Sequence, residues 1–334
     1  YDGTDSYGSA GDLKRARIQE WNGGSWTTID THYYRYYKSG DTDGVVNGLK
    51  YVVGPLGYAA MVAGGITPET ATNSQIEQFA WHYFKYNSDR SVKNEIVNAG
   101  ALDFGYTVTS TTVSNPSIND WLKKTVETLP DGNRRTTFTN VIGKVILKVL
   151  IRMSGGSETG DKWYDYYEYD DDGRVTLHAS SAAVSSYSVA DGGTGALTVN
   201  LHSDSGLIRV YDYYTTGAVG YLQYEKIKEG SSGTEIKLRE YTYTEREVGS
   251  DSIYVLHKKI CYPSDSDQLI NIECTVHTYT WQGSTFQIDE RTTTLPVVAT
   301  TQNGSGTANS RKEKFNAYGQ VMWVLDERGS IDGF

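Results

Sequence analysis

The chain is poor in the residues that most often carry out chemistry. Its 334 residues include two cysteines, three methionines and six histidines. The histidines are scattered, and no pair of them has the spacing of a zinc site or of an H-E-x-x-H helix. No G-x-S-x-G elbow and no glycine-rich phosphate loop precedes a predicted helix. We therefore expect no enzyme activity and no bound cofactor.

Positive charge and long apolar runs are also scarce. The net charge is -10, and no basic stripe of the kind that binds phosphates is visible, so nucleic acid is not an expected partner. The apolar run at 51–66 contains Gly54, Pro55 and Gly57, and the run at 145–151 contains Lys148. The sequence therefore predicts no helix that spans a membrane.

Tyrosine and glycine, in contrast, are abundant, with 27 and 35 copies. Tyrosine, threonine and valine favour strands with half-buried side chains. From about residue 100 onward, apolar and polar residues alternate in one short segment after another, which is typical of strands joined by turns. The sequence predicts an all-β chain of antiparallel hairpins, with one buried face and one face in contact with water.

A short phrase recurs along the chain. It is YDDDGRV at 169–175, FNAYGQV at 315–321 and, with one residue more before the glycine, FTNVIGKV at 138–145. We interpret each copy as a hairpin turn in which glycine adopts a positive φ, the aromatic residue faces a core and the long polar residue faces outward. Asp172 and Asn316 are the expected turn formers. The predicted structural residues of the phrase are Phe138, Gly143, Tyr169, Asp172, Gly173, Arg174, Phe315, Asn316 and Gly319.

One segment differs from the strand pattern. Thr67 can cap a helix, Pro68 suits a first turn, and Ile76, Phe79 and Tyr83 recur at helical spacing, so the sequence predicts a short helix within 68–86. The run QFAWHYFKY in the same segment also alternates as a strand does. We divide the chain into divergent N-terminal repeat units (1–66), an insertion or degenerate repeat (67–116) and a continuous repeat sheet (117–334).

The three phrases, the segment LPDGNRRTTFTN and tyrosine-rich pairs such as YDYYTTG resemble bacterial YD-repeat proteins of the RHS family. The resemblance implies a strip of hairpins that forms an extended or spiralling sheet, in which relatives enclose a toxic polypeptide or act at the cell surface. It also implies an extracellular or cell-surface location, and neighbouring repeats or identical chains as partners. The chain has no Asp-Pro dipeptide, on which the family's self-cleaving motif is built. We expect a segment of a longer, processed protein.

Cys261 and Cys274 lie on either side of a turn at Pro263, between two predicted strands. Cysteines on neighbouring strands can form a disulfide, which would suit an oxidising compartment. The alternative is a pair of small buried thiols.

Aromatic side chains are the candidate binding groups. Adjacent tyrosines must place one ring on each face of a strand. Exposed rings can bind a surface glycan or another protein, whereas rings that pack across strands only stabilise the sheet. The candidates are Trp21, Trp26 and Trp281, and the pairs Tyr33/Tyr34, Tyr36/Tyr37, Tyr166/Tyr167 and Tyr213/Tyr214.

Acidic clusters are candidate calcium ligands, since carboxylates in turns can supply oxygen atoms. None follows the order of an EF-hand loop, and acidic residues that solvate a turn are more common. The clusters are Asp41 with Asp43, Asp265 with Asp267, and Asp165, Glu168, Asp170, Asp171 and Asp172.

Together these observations predict a structural segment of an extracellular protein, whose sheet encloses a cargo polypeptide or builds a fibre. The first alternative is an adhesin that binds carbohydrate or cells through exposed aromatic side chains. The second is a secreted polysaccharide hydrolase, whose paired carboxylates would meet only in the folded chain.

Overall fold

The computed structural model describes residues 1–2, 4–113, 115–189, 196–263 and 273–334. Within these residues, twenty strands belong to one open sheet, and every strand pair whose register is resolved is antiparallel. The predicted all-β fold is confirmed. The chain forms two compact units: unit 1 contains Tyr1–Tyr164 and Val189–Leu197, and unit 2 contains Asp165–Ser188 and Thr198–Phe334.

Unit 1 consists of nine consecutive strands, two helices and the first part of a tenth strand. The strands pair in chain order. The elements are β1 (Arg15–Trp21), β2 (Trp26–Tyr36), β3 (Leu49–Val53), α1 (Pro55–Ala63), α2 (Asn73–Glu77), β4 (His82–Tyr86), β5 (Val92–Val97), β6 (Leu102–Ser110), β7 (Lys123–Thr128), β8 (Arg134–Thr139), β9 (Val145–Ser154) and β10 (Ser157–Tyr169), which ends in unit 2.

Unit 2 continues the same pattern. After β11, β12 and β13 form a separate two-stranded sheet, and the following strands again pair in chain order. The elements are β11 (Val175–Ala179), β12 (Val184–Val189), β13 (Leu197–Leu201), β14 (Leu207–Tyr213), β15 (Leu222–Glu229), β16 (Ile236–Val248), β17 (Asp251–Cys261), β18 (Glu273–Trp281), β19 (Ile288–Thr294), β20 (Ser310–Phe315), β21 (Val321–Leu325) and β22 (Ile331–Gly333), with 3-10 turns at Ser181–Ala183 and Thr300–Gln302.

The hydrophobic core of unit 1 lies where the two helices cover β2 and β3. Its fully buried members are Tyr33, Val53, Met61 and Ile76. These side chains come from alternate strand positions and from the inner faces of the helices, so two layers of secondary structure enclose them.

A buried arginine fixes the segment around α2 to this core. The Arg35 guanidinium donates to the carbonyl oxygens of Pro68 (2.8 Å) and Ala71 (2.6 Å) and to Asn73 Oδ1 (2.9 Å), and it lies 3.5 Å from the centre of the Tyr7 ring. Hydrogen bonds to fixed carbonyls offset the desolvation of the buried cation.

The helix predicted within 68–86 is much shorter in the structure. Only α2 falls there, and it begins with a capping box of Thr72 and Gln75 rather than at Thr67 and Pro68. His82–Tyr86 forms β4 instead, because its alternating side chains pair with both β3 and β5. The sequence analysis also missed α1, which starts at Pro55. Glycine is unfavourable inside a helix, so Gly57 weakened the helical signal of this segment. The structure requires glycine there, because a Cβ would lie 2.3 Å from the Phe79 carbonyl oxygen.

Most of unit 2 is a single layer of sheet. All seven residues of β19 are half-buried, and β15 is half-buried up to its last residue. Among the described residues, no hydrophobic side chain after Ala218 is buried. The expected contrast between one buried face and one wet face is therefore absent here, because no further strand or helix among the described residues of unit 2 packs over either face. Cross-strand neighbours supply the side-chain contacts instead.

Candidate functional site

Four hairpin turns share one hydrogen-bond pattern, and they explain the repeated phrase. In each, the side-chain oxygen of an Asp or Asn accepts from the backbone N–H groups two and four residues later. For Asp170 Oδ1 the donors are Asp172 (3.1 Å) and Arg174 (2.8 Å). The same bonds occur from Asn140 (3.2 and 2.8 Å), Asn316 (2.9 and 3.0 Å) and Asp326 (2.9 and 2.8 Å). We call these four turns the corners.

Each corner also needs a glycine at its fourth residue. The N–H of that glycine donates to the carbonyl of the first residue, with distances between 2.8 and 3.1 Å. The φ angles of Gly143, Gly173, Gly319 and Gly329 are 79°, 76°, 79° and 83°. A Cβ would be strained at such a φ, so the backbone itself requires glycine.

The structure changes the roles that the sequence analysis gave to two residues of the phrase. Asp170, not Asp172, is the turn acceptor, whereas Asp172 forms an ion pair with Arg174 Nη2 at 2.8 Å. Arg174 is half-buried rather than turned fully outward: its Nε donates to Asp170 Oδ2 (2.7 Å), and its guanidinium lies 4.8 Å from the centre of the Tyr213 ring.

The extra residue in FTNVIGKV has a simple structural explanation. The corners align at the Asp or Asn, so Thr139 pairs with Val145 just as Tyr169 pairs with Val175 and Phe315 with Val321. A register shift accompanies each of these pairs, which is the sign of a β-bulge and of extra local twist. Phe138 lies one residue earlier and is fully buried.

Two further turns escaped the sequence analysis. The corner at Asp326 follows Leu325, so it lacks the aromatic residue that defined the phrase. The turn at Asn87 has the backbone bonds of a corner, but Arg90 takes the place of the glycine with a φ of 71°. An Asp or Asn followed three residues later by a residue that tolerates positive φ is the more general signal.

Tyrosine hydroxyls join neighbouring strands in unit 2. Tyr213 donates to the Val175 carbonyl (2.9 Å), Tyr243 to that of Leu222 (3.0 Å), and Tyr279 to that of Leu256 (2.7 Å). Burial raises the pKa of all three hydroxyls, so they remain protonated donors over the neutral range. Tyr214 of the predicted pair Tyr213/Tyr214 makes the same kind of bond, to Tyr241 (3.0 Å).

The other tyrosine pairs are also well covered. Tyr33 and Tyr37 are fully buried, and Tyr34 and Tyr36 beside them are half-buried. Tyr166 and Tyr167 are half-buried and donate to Glu168 (2.9 Å) and Asp165 (2.9 Å). These contacts favour the interpretation that the tyrosine pairs stabilise the sheet.

Of the three tryptophans singled out from the sequence, two are openly exposed. Trp21 and Trp26 are directly opposite each other at the end of the β1–β2 hairpin, with ring centres 5.4 Å apart and exposed fractions of 53% and 62%. Trp281 is half-buried and lies between Tyr279 (5.9 Å between ring centres) and the Arg246 guanidinium (5.3 Å). Of these three tryptophans, the hairpin pair Trp21 and Trp26 offers open ring surface for a ligand.

The predicted disulfide is not formed: Cys261 and Cys274 are free thiols. The register pairs Cys274 with Ile260 and Cys261 with Glu273. Because successive side chains point to opposite faces of a strand, the two cysteines lie on opposite faces of the sheet and cannot meet.

The acidic clusters are held by protein contacts. Asp170 is bound by its own corner, and the Asp165 carboxylate contacts His178 Nε2 (2.5 Å) and the Tyr167 hydroxyl (2.9 Å). Over the described part of the chain, no three His, Cys, Asp or Glu side chains are placed to hold a metal ion. Asp265 and Asp267 lie outside the described residues.

One apolar surface was not foreseen. A groove of about 490 Å³ next to α1 is lined by Pro55, Leu56, Phe79, Ala80 and Trp81, and Leu56 is 89% exposed. Pro55 and Leu56 belong to α1, which was not predicted from the sequence, so the groove was not predicted either. Neither helix of the described chain has the length and apolar composition needed to span a bilayer.

Comparison with solved structures finds chains of Tc toxins. The crystal structure of TcdB2-TccC3-Cdc42 matches 97% of this chain at 12% identity and a TM-score of 0.25. The Tc holotoxin pore of Photorhabdus luminescens matches 93% at 13% identity and a TM-score of 0.24. This chain spans 18% of the length of each of those chains.

A porin-like protein from Bacteroides uniformis matches 62% of this chain at 13% identity, with a TM-score of 0.17. No protein-family model matches the chain, and no curated protein matches its sequence. Similarity at this level assigns neither a family nor a function.

Proposed function

We propose that this chain is a structural segment of an extracellular YD-repeat protein, in which hairpins joined edge to edge build the wall of a shell around a polypeptide cargo, or a fibre. The observation behind the proposal is the single-layer sheet of unit 2. A compact enzyme or a globular binding domain buries its strands under a second layer, whereas these strands leave both faces accessible. A wall needs two such faces, one toward its contents and one toward the surroundings.

The side chains on the two faces of unit 2 support this role. Residues 290 and 291 point to opposite faces because they are adjacent in β19. Glu290 pairs with Lys312 (3.2 Å) on one face, and Arg291 pairs with Glu313 (2.7 Å) on the other. Polar pairs on both faces keep the sheet soluble without a covering layer and suit contact with a hydrated cargo.

The corners supply the mechanism of assembly. Each corner reverses the chain with bonds from its own backbone and one side chain, so the hairpin that it closes can form without help from a distant core. Sheet edges expose unpaired backbone groups that bind a further strand. The partners that we propose are therefore neighbouring repeats of the same protein, or identical chains.

Electron microscopy of the purified protein tests this proposal. We expect hollow particles or filaments in negative stain. Compact solid monomers with no internal volume would contradict it. A variant with Tyr318, an exposed corner residue, changed to alanine is the matched control and should give the same particles, because its side chain is 89% exposed.

A second function is favoured by one observation, the open Trp21–Trp26 pair. We propose that this hairpin end binds a surface glycan, since sugar rings stack on exposed indole faces. Gln19 and Thr28 lie on the same face of the hairpin and hydrogen-bond to each other (3.2 Å), so polar groups for sugar hydroxyls are adjacent.

A glycan array tests this second function. We expect binding that is lost when Trp21 and Trp26 are both changed to alanine and that persists in Trp163→Ala, which alters another half-exposed tryptophan. Equal binding by the double variant and the unaltered protein would exclude this site.

A further inference from the structure

Two histidines meet where β17 and β18 pair. His257 and His277 are both half-buried. The Nδ1 of His257 lies 3.1 Å from the backbone oxygen of His277, and the Nδ1 of His277 lies 3.0 Å from Thr293 Oγ1. Thr293 is the direct partner of His277 in β19, so the two rings link three consecutive strands of unit 2. We call this cluster the histidine seam.

Cations lie on both sides of the seam. On the β19 and β20 side, Arg291 and Arg311 both bind the one carboxylate of Glu313, at 2.7 and 3.4 Å. Glu313 is only 12% exposed, so its charge is already compensated. On the β17 side, Lys259 shares the face of His277, because its partner Thr275 is two residues before His277.

On the β16 side, the same face carries Glu245 and Glu247, and Arg239 bound to Glu225 (2.6 Å). The carboxylate of β18 itself on this face is that of Glu273. It is exposed, and it lies at the far end of β18, opposite Cys261. A protonated His277 would add a positive charge beside Arg291 and Arg311, where the one carboxylate of Glu313 is already shared by both guanidinium groups. Like charges at this spacing on half-buried strands oppose pairing.

We propose that the histidine seam is an acid-sensitive joint of the sheet, closed when His277 is neutral and loosened when mild acid protonates it. This inference concerns unit 2 alone, and it holds whether the wall encloses cargo or forms a fibre.

The electrostatics of His277 agree with the proposal. Burial lowers the pKa of this imidazole, the positive charge of Arg291 lowers it further, and Glu313 only partly opposes them. A folded pKa below the unfolded value of about 6.5 means that the unfolded state binds the proton more readily. The neutral His277 therefore stabilises the folded strands fully above about pH 6.5, and this stabilisation is lost as the pH falls through the lower folded pKa.

The location gives this effect a structural consequence. The seam lies in the part of unit 2 where no second layer covers the strands. Local opening in such a region breaks few apolar contacts, so protonation acts on a small opening free energy.

Hydrogen exchange at pH 7.5 and pH 5.5, corrected for the intrinsic exchange rates, tests the seam directly. In the unaltered protein we expect the protection of β17, β18 and β19 to fall at pH 5.5 by up to about tenfold, because this pH lies about one unit below the unfolded pKa of about 6.5. In His277→Gln, which cannot gain the proton, the protection ratio between the two pH values should stay much closer to one.

The ratio between pH values is the readout, so a variant that is less protected at both pH values remains informative. His202→Gln, in the same unit but outside these strands, is the control and should behave as the unaltered protein does. An equal loss of protection in the unaltered protein and in His277→Gln, or no loss in either, would overturn the proposal.

Discussion

At the scale of single residues, the corner Asp or Asn has the largest local role. One side-chain oxygen satisfies two backbone N–H groups, which would otherwise lack a partner where the chain reverses. The glycine three residues later provides a φ near 80°. Two residues thus determine each turn, and the residues between them are free to vary.

Asn316→Ala should weaken the β20–β21 hairpin by about 1–2 kcal/mol, because two backbone donors lose their acceptor. Hydrogen exchange of the peptides that cover β20 and β21 measures the change. Tyr318→Ala, two residues away in the same corner, should leave exchange unchanged. Equal effects of the two substitutions would show that the Asn316 oxygen does not hold the turn.

Two of the four corners carry a titratable acid, and they should respond to pH where the asparagine corners do not. Burial by itself raises the pKa of Asp170, but the hydrogen bonds from the Arg174 amide and guanidinium outweigh it and lower the pKa. A carboxyl with a lowered folded pKa stabilises the fold above its unfolded pKa, and that stability disappears as the pH falls through the folded value.

Asp170→Asn should therefore remove the loss of protection at the β10–β11 hairpin between pH 5 and pH 3, since it copies the corner at Asn140. Hydrogen exchange at the two pH values is the measurement, and Asp171→Asn is the control at an exposed neighbour. If the hairpin of Asp170→Asn lost as much protection between pH 5 and pH 3 as that of the unaltered protein, the Asp170 carboxyl would not be the group responsible.

At the scale of elements, the hairpin is the unit that the sequence predicts well. Alternation of side chains identified most strands, and the phrase located three of the corners. The helical elements were harder, because α2 has only five residues and its neighbour β4 also fits a helical spacing. The predicted bridge between Cys261 and Cys274 was wrong because of the strand register. Cys274 pairs with Ile260, one residue away from Cys261, and an offset of one residue moves a side chain to the other face. The sequence alone does not show this register.

The turn at Asn87 is a corner with an unfavourable residue. Arg90 adopts a left-handed φ of 71° that glycine would adopt without strain. Arg90→Gly should stabilise the β4–β5 hairpin by about 1 kcal/mol. A rise in the thermal midpoint of unit 1 measures this gain, whereas a fall would show that the arginine side chain contributes more than its backbone costs.

The tyrosine bonds between strands belong to the same scale. Tyr279→Phe removes the donor to the Leu256 carbonyl and should reduce the protection of β17 and β18 by about 1 kcal/mol of opening free energy. Tyr318→Phe, at an exposed site, is the matched control. Unchanged exchange in Tyr279→Phe would mean that ring packing alone holds the strands.

At the scale of the whole molecule, the fold class followed from composition and alternation, but the single layer of unit 2 did not. Strand residues in this unit read as alternately apolar and polar, which ordinarily signals one buried face. In the structure both faces are half-buried, because long side chains such as lysine, arginine and tyrosine cover one another across strands. Sequence alternation cannot show whether anything packs on the apolar face.

The candidate site was only partly predictable for a related reason. The exposure of Trp21 and Trp26 depends on their place at the end of a hairpin, and the cover of Trp281 depends on Arg246, 35 residues away in the sequence. Contacts of this kind are set by the pairing of distant strands. The histidine seam likewise joins residues from three strands, and no local motif announces it.

A cryo-electron microscopy map of the protein at side-chain resolution would show whether unit 2 is a wall. We expect β14–β21 to form a single β layer, with one face toward an enclosed volume or a fibre axis and the other toward solvent. A map in which a second layer of the protein packs over both faces of these strands and buries them in a solid core would contradict this expectation.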